Sequence, residues 1–301
     1  MIEQTYAQAG GDEPAILARF GVDDAALLGS GGEARVFALD SERVLRIQGP
    51  GDSAPDRELA DLLDSWSGCD VGVALPQMLS QGRLGAQNYS IERRLAGIPL
   101  SRWLAETADA DRRQAALTSL LDVSERLREL PLPQPGFRRV LGGSAAHGSL
   151  TELLAAQIEI GIHYSDGLLA QAVPDLDNRV SALLDLLSSR EVTPSFCHAD
   201  LVPANVLVDD DGHLTAVLDF SVHAVAADAV LDQVGAVAFL ETTPYAGNTS
   251  DAAWLEGELR GRLGPDAWLI DAYRCFYALY YAMDHGLIAW SAEQLLTRCP
   301  R

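Results

Sequence analysis

The sequence predicts an α+β protein of two lobes, a small β-rich lobe followed by a larger helical one. Three observations predict this. Short alternating apolar segments crowd the first hundred residues, helical periodicity dominates the rest, and a single hairpin of hydrophobic strands returns near residue 210. With 301 residues and 48% hydrophobic content, the chain can build a core in each lobe. The lobes are placed at 1–96 and 97–301, with RRLAGIPL at 93–100 as the crossover.

Each element follows from local pattern. EPAILARF at 13–20 has an amphipathic helical face. From 26 to 48, ARVFAL, the Asp40–Ser41 turn and VLRI read as strand, turn and strand. PDRELADLLDS at 55–65 opens on Pro and Asp and continues at helical spacing, so a helix is predicted there. ALPQMLSQG and QNYSIERRLAGIPL return to strand and turn. After residue 100 come the helical segments SRWLAETA and RRQAALTSLLDVSERLREL, then one long helical run from Thr151 to Ser189. NVLV (205–208) and TAVLDF (215–220), joined by DDDGH, form the returning hairpin, and helix is predicted from there to the end.

Composition narrows the partners. All 22 basic residues are arginine, against 43 Asp and Glu, giving a formal charge of −21 and a pI near 4.5. Such a surface repels phosphate backbones, so neither nucleic acid nor an anionic membrane is an expected partner, while cationic small molecules are. Four cysteines far apart, with no CxxC pair, indicate reduced thiols rather than a disulfide or metal framework. The start, MIEQTYAQAGGDE, has neither a basic region nor an apolar segment, and no apolar stretch reaches membrane-spanning length. A cytoplasmic location is expected. The six histidines show no shared ligand spacing, so no zinc site is expected.

The chemistry sits in HADLVPANVLV and LTAVLDF: His198-x-Asp200-x4-Asn205, then Asp219 after a strand, 19 residues beyond Asp200. A loop carboxylate such as Asp200 can orient a substrate hydroxyl and accept its proton. Asn205 and Asp219 offer hard oxygen donors at the two ends of a hairpin, the usual protein share of a Mg²⁺ site that also uses substrate phosphates. Together these parts suit phosphoryl transfer, in which the protein positions groups and neutralises charge.

This array resembles the catalytic and metal-binding loops of the protein-kinase-like fold, and more closely those of the aminoglycoside phosphotransferase family of small-molecule kinases. That family's loop reads H-G-D-L-x-x-x-N and then D-W or D-F; here Ala199 replaces the glycine. No A-P-E motif follows Asp219, and AADAVLDQVG at 226–235 begins too soon for an activation loop. The family's G-D-P-x-x-D survives as Asp228 and Asp232.

The resemblance implies a bilobal kinase fold, ATP or GTP with Mg²⁺ as cofactors, Asp200 as the catalytic carboxylate, and Asn205 and Asp219 as the metal ligands. It also implies a nucleotide site in the first lobe. Gly29-Ser30-Gly31-x-x-Ala34-x-Val36 matches a glycine-rich nucleotide hairpin; it opens no helix and lacks GK[ST], which removes dinucleotide-fold and P-loop readings. Arg46 in VLRI stands where relatives carry lysine on the α- and β-phosphates, Glu58 is its helix partner, and backbone groups of Arg93 and Leu95 face the adenine. His198 braces the loop.

The implied acceptor is a hydroxyl-bearing small molecule, cationic, of the aminoglycoside type or another antibiotic. Asp228, Asp232, Glu241, Asp271 and Asp284 are the expected acidic wall, while Tyr273, Phe276, Tyr277, Tyr280 and Tyr281 follow core spacing, with the lining of a macrolide or other hydrophobic pocket as the alternative. Two alternatives stay open: a metabolic kinase acting on a choline-like amino alcohol or a sugar, and a nucleotide-binding pseudokinase. Intact Asp200, Asn205 and Asp219 argue against the latter.

Overall fold

The computed structural model describes residues 12–30, 34–50, 54–143 and 145–300. They divide into two compact units. The first takes residues up to Cys69, Ala74–Ala96 and Ala216–Leu218; the second takes Asp70–Val73, Gly97–Thr215 and the chain from Asp219 onward.

The first unit is a five-stranded antiparallel sheet, ordered β1-β2-β3-β5-β4, with two helices among its described residues. Its strands are β1 (Leu27–Ser30), β2 (Ala34–Ala38), β3 (Arg43–Pro50), β4 (Met78–Leu84) and β5 (Gln87–Arg93). Alternation along β2 and β3 turns Phe37, Leu45 and Ile47 to one side, where α1 (Glu13–Phe20) covers them with Ile16 and Leu17. Helix α1 stops at Gly21, whose left-handed φ of 67° lets its N–H cap the last turn. Glu13, nearly buried, is held by Arg35 of β2. The second helix, α2, spans Ala54–Ser65.

The second unit is mainly helical: α3 (Leu100–Glu106), α4 (Ala110–Leu127), α5 (Leu150–Tyr164), α6 (Leu168–Ala172), α7 (Leu176–Ser188), α8 (Val230–Thr242), α9 (Asn248–Leu263), α10 (Trp268–Tyr280) and α11 (Ile288–Thr297). Helix α8 is buried on every face from Val230 to Leu240, which fits its almost uniformly apolar sequence and makes it the axis of the core. Helix α5 packs so closely on the end of α10 that only glycine fits at 161.

Two expectations are corrected here. The run from Thr151 to Ser189 is three helices, because Asp166 and Gly167 adopt left-handed φ values of 51° and 77° and Pro174 follows α6. Strands also return more than once. Beside β9 (Val206–Val208) and β10 (Leu214–Val217), the chain forms β6 (Ile98–Pro99), and β9 lies between β6 and β10. A further sheet, ordered β7-β11-β8, joins Arg138–Arg139, Val225–Ala227 and Ser195–Cys197. These two- and three-residue strands exist only because distant segments pair, which no local period records.

Candidate active site

Short strands carry the residues of the site. The loop from His198 to Asn205 leaves β8 and enters β9, while Asp219 follows β10. Asp200, Asn205 and Asp219 line one cavity of about 640 Å³, with Ser101, Val202, Phe239, Tyr281 and Asp284 among its other walls.

Backbone strain marks both ends. Ala199 and Asp219 each adopt φ near 60°, a left-handed conformation unusual for residues with a Cβ. What holds Ala199 there is Asp232, in the first turn of α8. Its two carboxylate oxygens accept the backbone N–H of His198 and of Ala199, each at 2.7 Å. Burial pushes the Asp232 carboxyl up to about 6, against the opposing pull of His198 and of these two donors.

His198 is buried, packs its ring 4.8 Å from that of Phe220, and accepts the Asp200 N–H on Nδ1 at 3.3 Å. Its contacts are those of a loop brace. The Asn205 amide donates to the Asp200 carbonyl (3.0 Å) and to Asp200 Oδ2 (3.2 Å). Both amide hydrogens are thus spent, which leaves the Asn205 side chain its carbonyl oxygen as an acceptor. Burial raises the Asp200 carboxyl above its ordinary value, opposed by His223, His198 and a hydrogen bond from Tyr281, and assisted by the charge of Asp219. An amide oxygen and a carboxylate bordering one cavity are a hard donor set of the kind that suits Mg²⁺.

Residues 24–275 match the APH phosphotransferase enzyme family. The chain belongs to that family. It is 25% identical over 151 residues to the aminoglycoside 3'-phosphotransferase of Streptomyces ribosidificus, a stretch covering 49% of this chain and 52% of that protein. It thus spans about half the length of this curated relative. Its fold is similar to that of a thermostable mutant of aminoglycoside phosphotransferase APH(4)-Ia in ternary complex with ADP and hygromycin B. There the TM-score is 0.72 at 17% identity, covering 94% of this chain and 96% of the other. The GDP complex of wild-type aminoglycoside 2'-phosphotransferase-IIIa gives 0.61 at 21% identity, again over 94% and 96%.

The residues expected to meet nucleotide belong to the first unit. Gly29 and Ser30 end β1, exposed and paired with Val36 and Arg35; Gly31 lies outside the described residues. Arg46 is half-buried in the middle of β3, between Val36 of β2 and Ser90 of β5. Glu58 is exposed on α2. Arg93 ends β5, and its N–H is already donated to the Gln77 carbonyl at 2.9 Å, so only its carbonyl could meet a base. Leu95 follows, half-buried.

The expected acidic wall is mostly not a wall. Asp228 accepts from Arg190 (2.9 Å) and the Tyr273 hydroxyl (2.8 Å), and Asp232 pins the loop. Glu241 is engaged by Arg274 and by Trp290 at 2.9 Å, and Asp271 by Arg298 at 2.8 Å. Of the five, Asp284 alone lines the cavity. Among the aromatics, Tyr273, Phe276, Tyr277 and Tyr280 are core, as their spacing says. Tyr281 is the exception: it stands in the 3₁₀ turn after α10, and its hydroxyl lies 2.8 Å from Asp200 Oδ1. Its only signal in the sequence is its place as the last ring of the run.

Proposed function

We propose that the protein transfers the γ-phosphoryl group of ATP or GTP to a hydroxyl of a small-molecule antibiotic of the aminoglycoside type. The observation that carries this is the convergence of Asp200, Asn205 and Asp219 on one cavity in a member of a phosphotransferase family. The fold neighbours whose complexes contain ADP with hygromycin B, and GDP with kanamycin, support the nucleotide and acceptor classes.

In this reading Asp200 accepts the acceptor's hydroxyl proton. The hydroxyl oxygen forms a bond to the γ-phosphorus, the bond from that phosphorus to the bridging oxygen breaks with its electrons leaving on the nucleoside diphosphate, and the proton passes from Asp200 to water. Mg²⁺, when bound, would be held by Asn205 and Asp219 and supplies neutralising charge to the phosphates. Arg46, oriented by Glu58, would add a guanidinium to the same phosphates, Gly29-Ser30-Gly31 would cover them, and the Arg93–Leu95 backbone would meet the base. Asp284 is assigned to an ammonium of the acceptor, and Phe239 to its apolar face. A single wall carboxylate also suits an acceptor with one ammonium, so the amino-alcohol reading belongs in the same test.

Purified protein with MgATP or MgGTP is offered aminoglycosides, amino alcohols and neutral sugars, with phosphorylated product read by mass spectrometry. Asp200→Asn should lower kcat about 10²–10⁴-fold with MgATP affinity unchanged. Asp219→Ala should weaken MgATP binding itself. A variant at 200 with near-normal kcat, or a best acceptor without any amine, would overturn the reading.

A further inference from the structure

Asp200 is held at both of its carboxylate oxygens. Asn205 reaches Oδ2 at 3.2 Å from the same loop, and the Tyr281 hydroxyl reaches Oδ1 at 2.8 Å from a segment more than eighty residues away. We propose that Tyr281 is the positioning residue that fixes the rotation of the Asp200 carboxylate toward the acceptor hydroxyl. The inference rests on the phosphotransferase reading given above.

Tyr281 is built to hold an atom still. Its ring stacks on His223 at 5.6 Å and 26°, and meets the rings of Phe239 and Tyr280 edge-on, each at 5.1 Å. His223 is itself tied through Nδ1 to the Tyr280 hydroxyl at 2.7 Å. The ring therefore cannot swing, and its oxygen is confined near the loop. The Ala199 carbonyl lies 3.0 Å away, but the one phenolic proton goes to the nearer and charged acceptor, Oδ1. With the loop backbone pinned by Asp232 and Oδ2 tied to Asn205, the Tyr281 bond removes the remaining freedom of the carboxylate. Each carboxylate oxygen keeps a second lone pair, so holding both leaves Asp200 able to take a proton.

Tyr281→Phe keeps the ring and removes only the hydroxyl. Losing one hydrogen bond to a charged group should lower kcat about ten- to a hundredfold, with KM for MgATP and for the acceptor within twofold and the thermal midpoint lowered only by what one hydrogen bond is worth. A kcat within twofold of the natural enzyme overturns the proposal. So does a fall in kcat accompanied by a rise in both KM values, the mark of a merely structural residue.

A second measurement does not depend on that variant folding. With 3-fluorotyrosine at 281, the ¹⁹F resonance should shift between the otherwise natural protein and Asp200→Asn, because the acceptor loses its charge. An unmoved resonance places the proton on the Ala199 carbonyl and overturns the proposal. If no acceptor is phosphorylated by the natural protein, the phosphotransferase reading fails, and the ¹⁹F comparison still decides the contact.

Discussion

Asp232 holds the Asp200 loop by two hydrogen bonds that only a carboxylate can accept together, so Asp232→Asn is a sharp perturbation. An asparagine offers one oxygen. One of the two N–H groups, His198 or Ala199, would then face an NH₂ group and lose its partner while buried. An orphaned buried donor costs about 1–3 kcal/mol. Against this, the variant no longer buries a charge. A carboxyl raised from 3.8 to about 6 carries a penalty at neutral pH of roughly 3 kcal/mol, taking about 1.4 kcal/mol per pH unit. The two effects nearly cancel, so Asp232→Asn should be about as stable as the natural protein at pH 7.5.

The sign with pH follows from which state holds the proton. Between about 4 and 6 the folded protein keeps a proton on Asp232 that the unfolded chain has already released. This group's contribution is therefore full below about 4 and lost as pH rises through about 6. The variant has no such dependence. Measured by urea unfolding at pH 4.5 and 7.5, the stability advantage of the natural protein over the variant should shrink toward neutrality, by about 2 kcal/mol. Activity should behave differently: at pH 7.5 kcat should fall at least tenfold despite unchanged stability, because Ala199 at φ near 60° is no longer held. An advantage that is constant or grows with pH refutes the electrostatic half of the reasoning, and an unchanged kcat refutes the positional half.

Two further substitutions test the packing around the site. Ala199→Gly should relieve a left-handed strain of about 1–2 kcal/mol at an entropic cost of about 0.5–1 kcal/mol; the urea midpoint should rise slightly with kcat retained. Gly161→Ala would place a Cβ 2.2 Å from the Leu279 carbonyl oxygen and 2.4 Å from that of Tyr280, backbone atoms that cannot step aside. It should cost about 3 kcal/mol, read as a lowered thermal midpoint, and an unaffected midpoint would show that α5 and α10 are not locked there.

The parts of this protein that were legible in sequence are those whose partners are near in the chain. The alternation of ARVFAL and VLRI specifies β2 and β3, and the Asp-rich turn specifies the hairpin from Asn205 to Asp219. The polar spacing of His198, Asp200, Asn205 and Asp219 was enough to place the chain in its family. Hidden were β7, β8 and β11, at two or three residues each, and the role of Tyr281, which shares its helical spacing with four true core rings. Helical period says which face is buried; it does not say that the last ring of a stripe, just past the helix end, will meet a loop eighty residues upstream.

Charge misleads for a related physical reason. A net −21 suggests a negative cleft, yet the carboxylates expected to build it are mostly neutralised by partners. Arg190 bridges Asp228 and Asp266, Arg274 bridges Glu241 and Glu256, and Arg298 bridges Glu256 and Asp271. A guanidinium presents five donors in a fixed fork, so one arginine can quiet two acids at once. With every basic residue an arginine, the C-terminal third uses that capacity repeatedly. Asp284, which meets no arginine among the described residues and whose side chain accepts the Gly286 N–H, is left to line the cavity. An acid's role in binding is thus set by whether a partner has already claimed it, a property of the fold that no count of acidic residues contains.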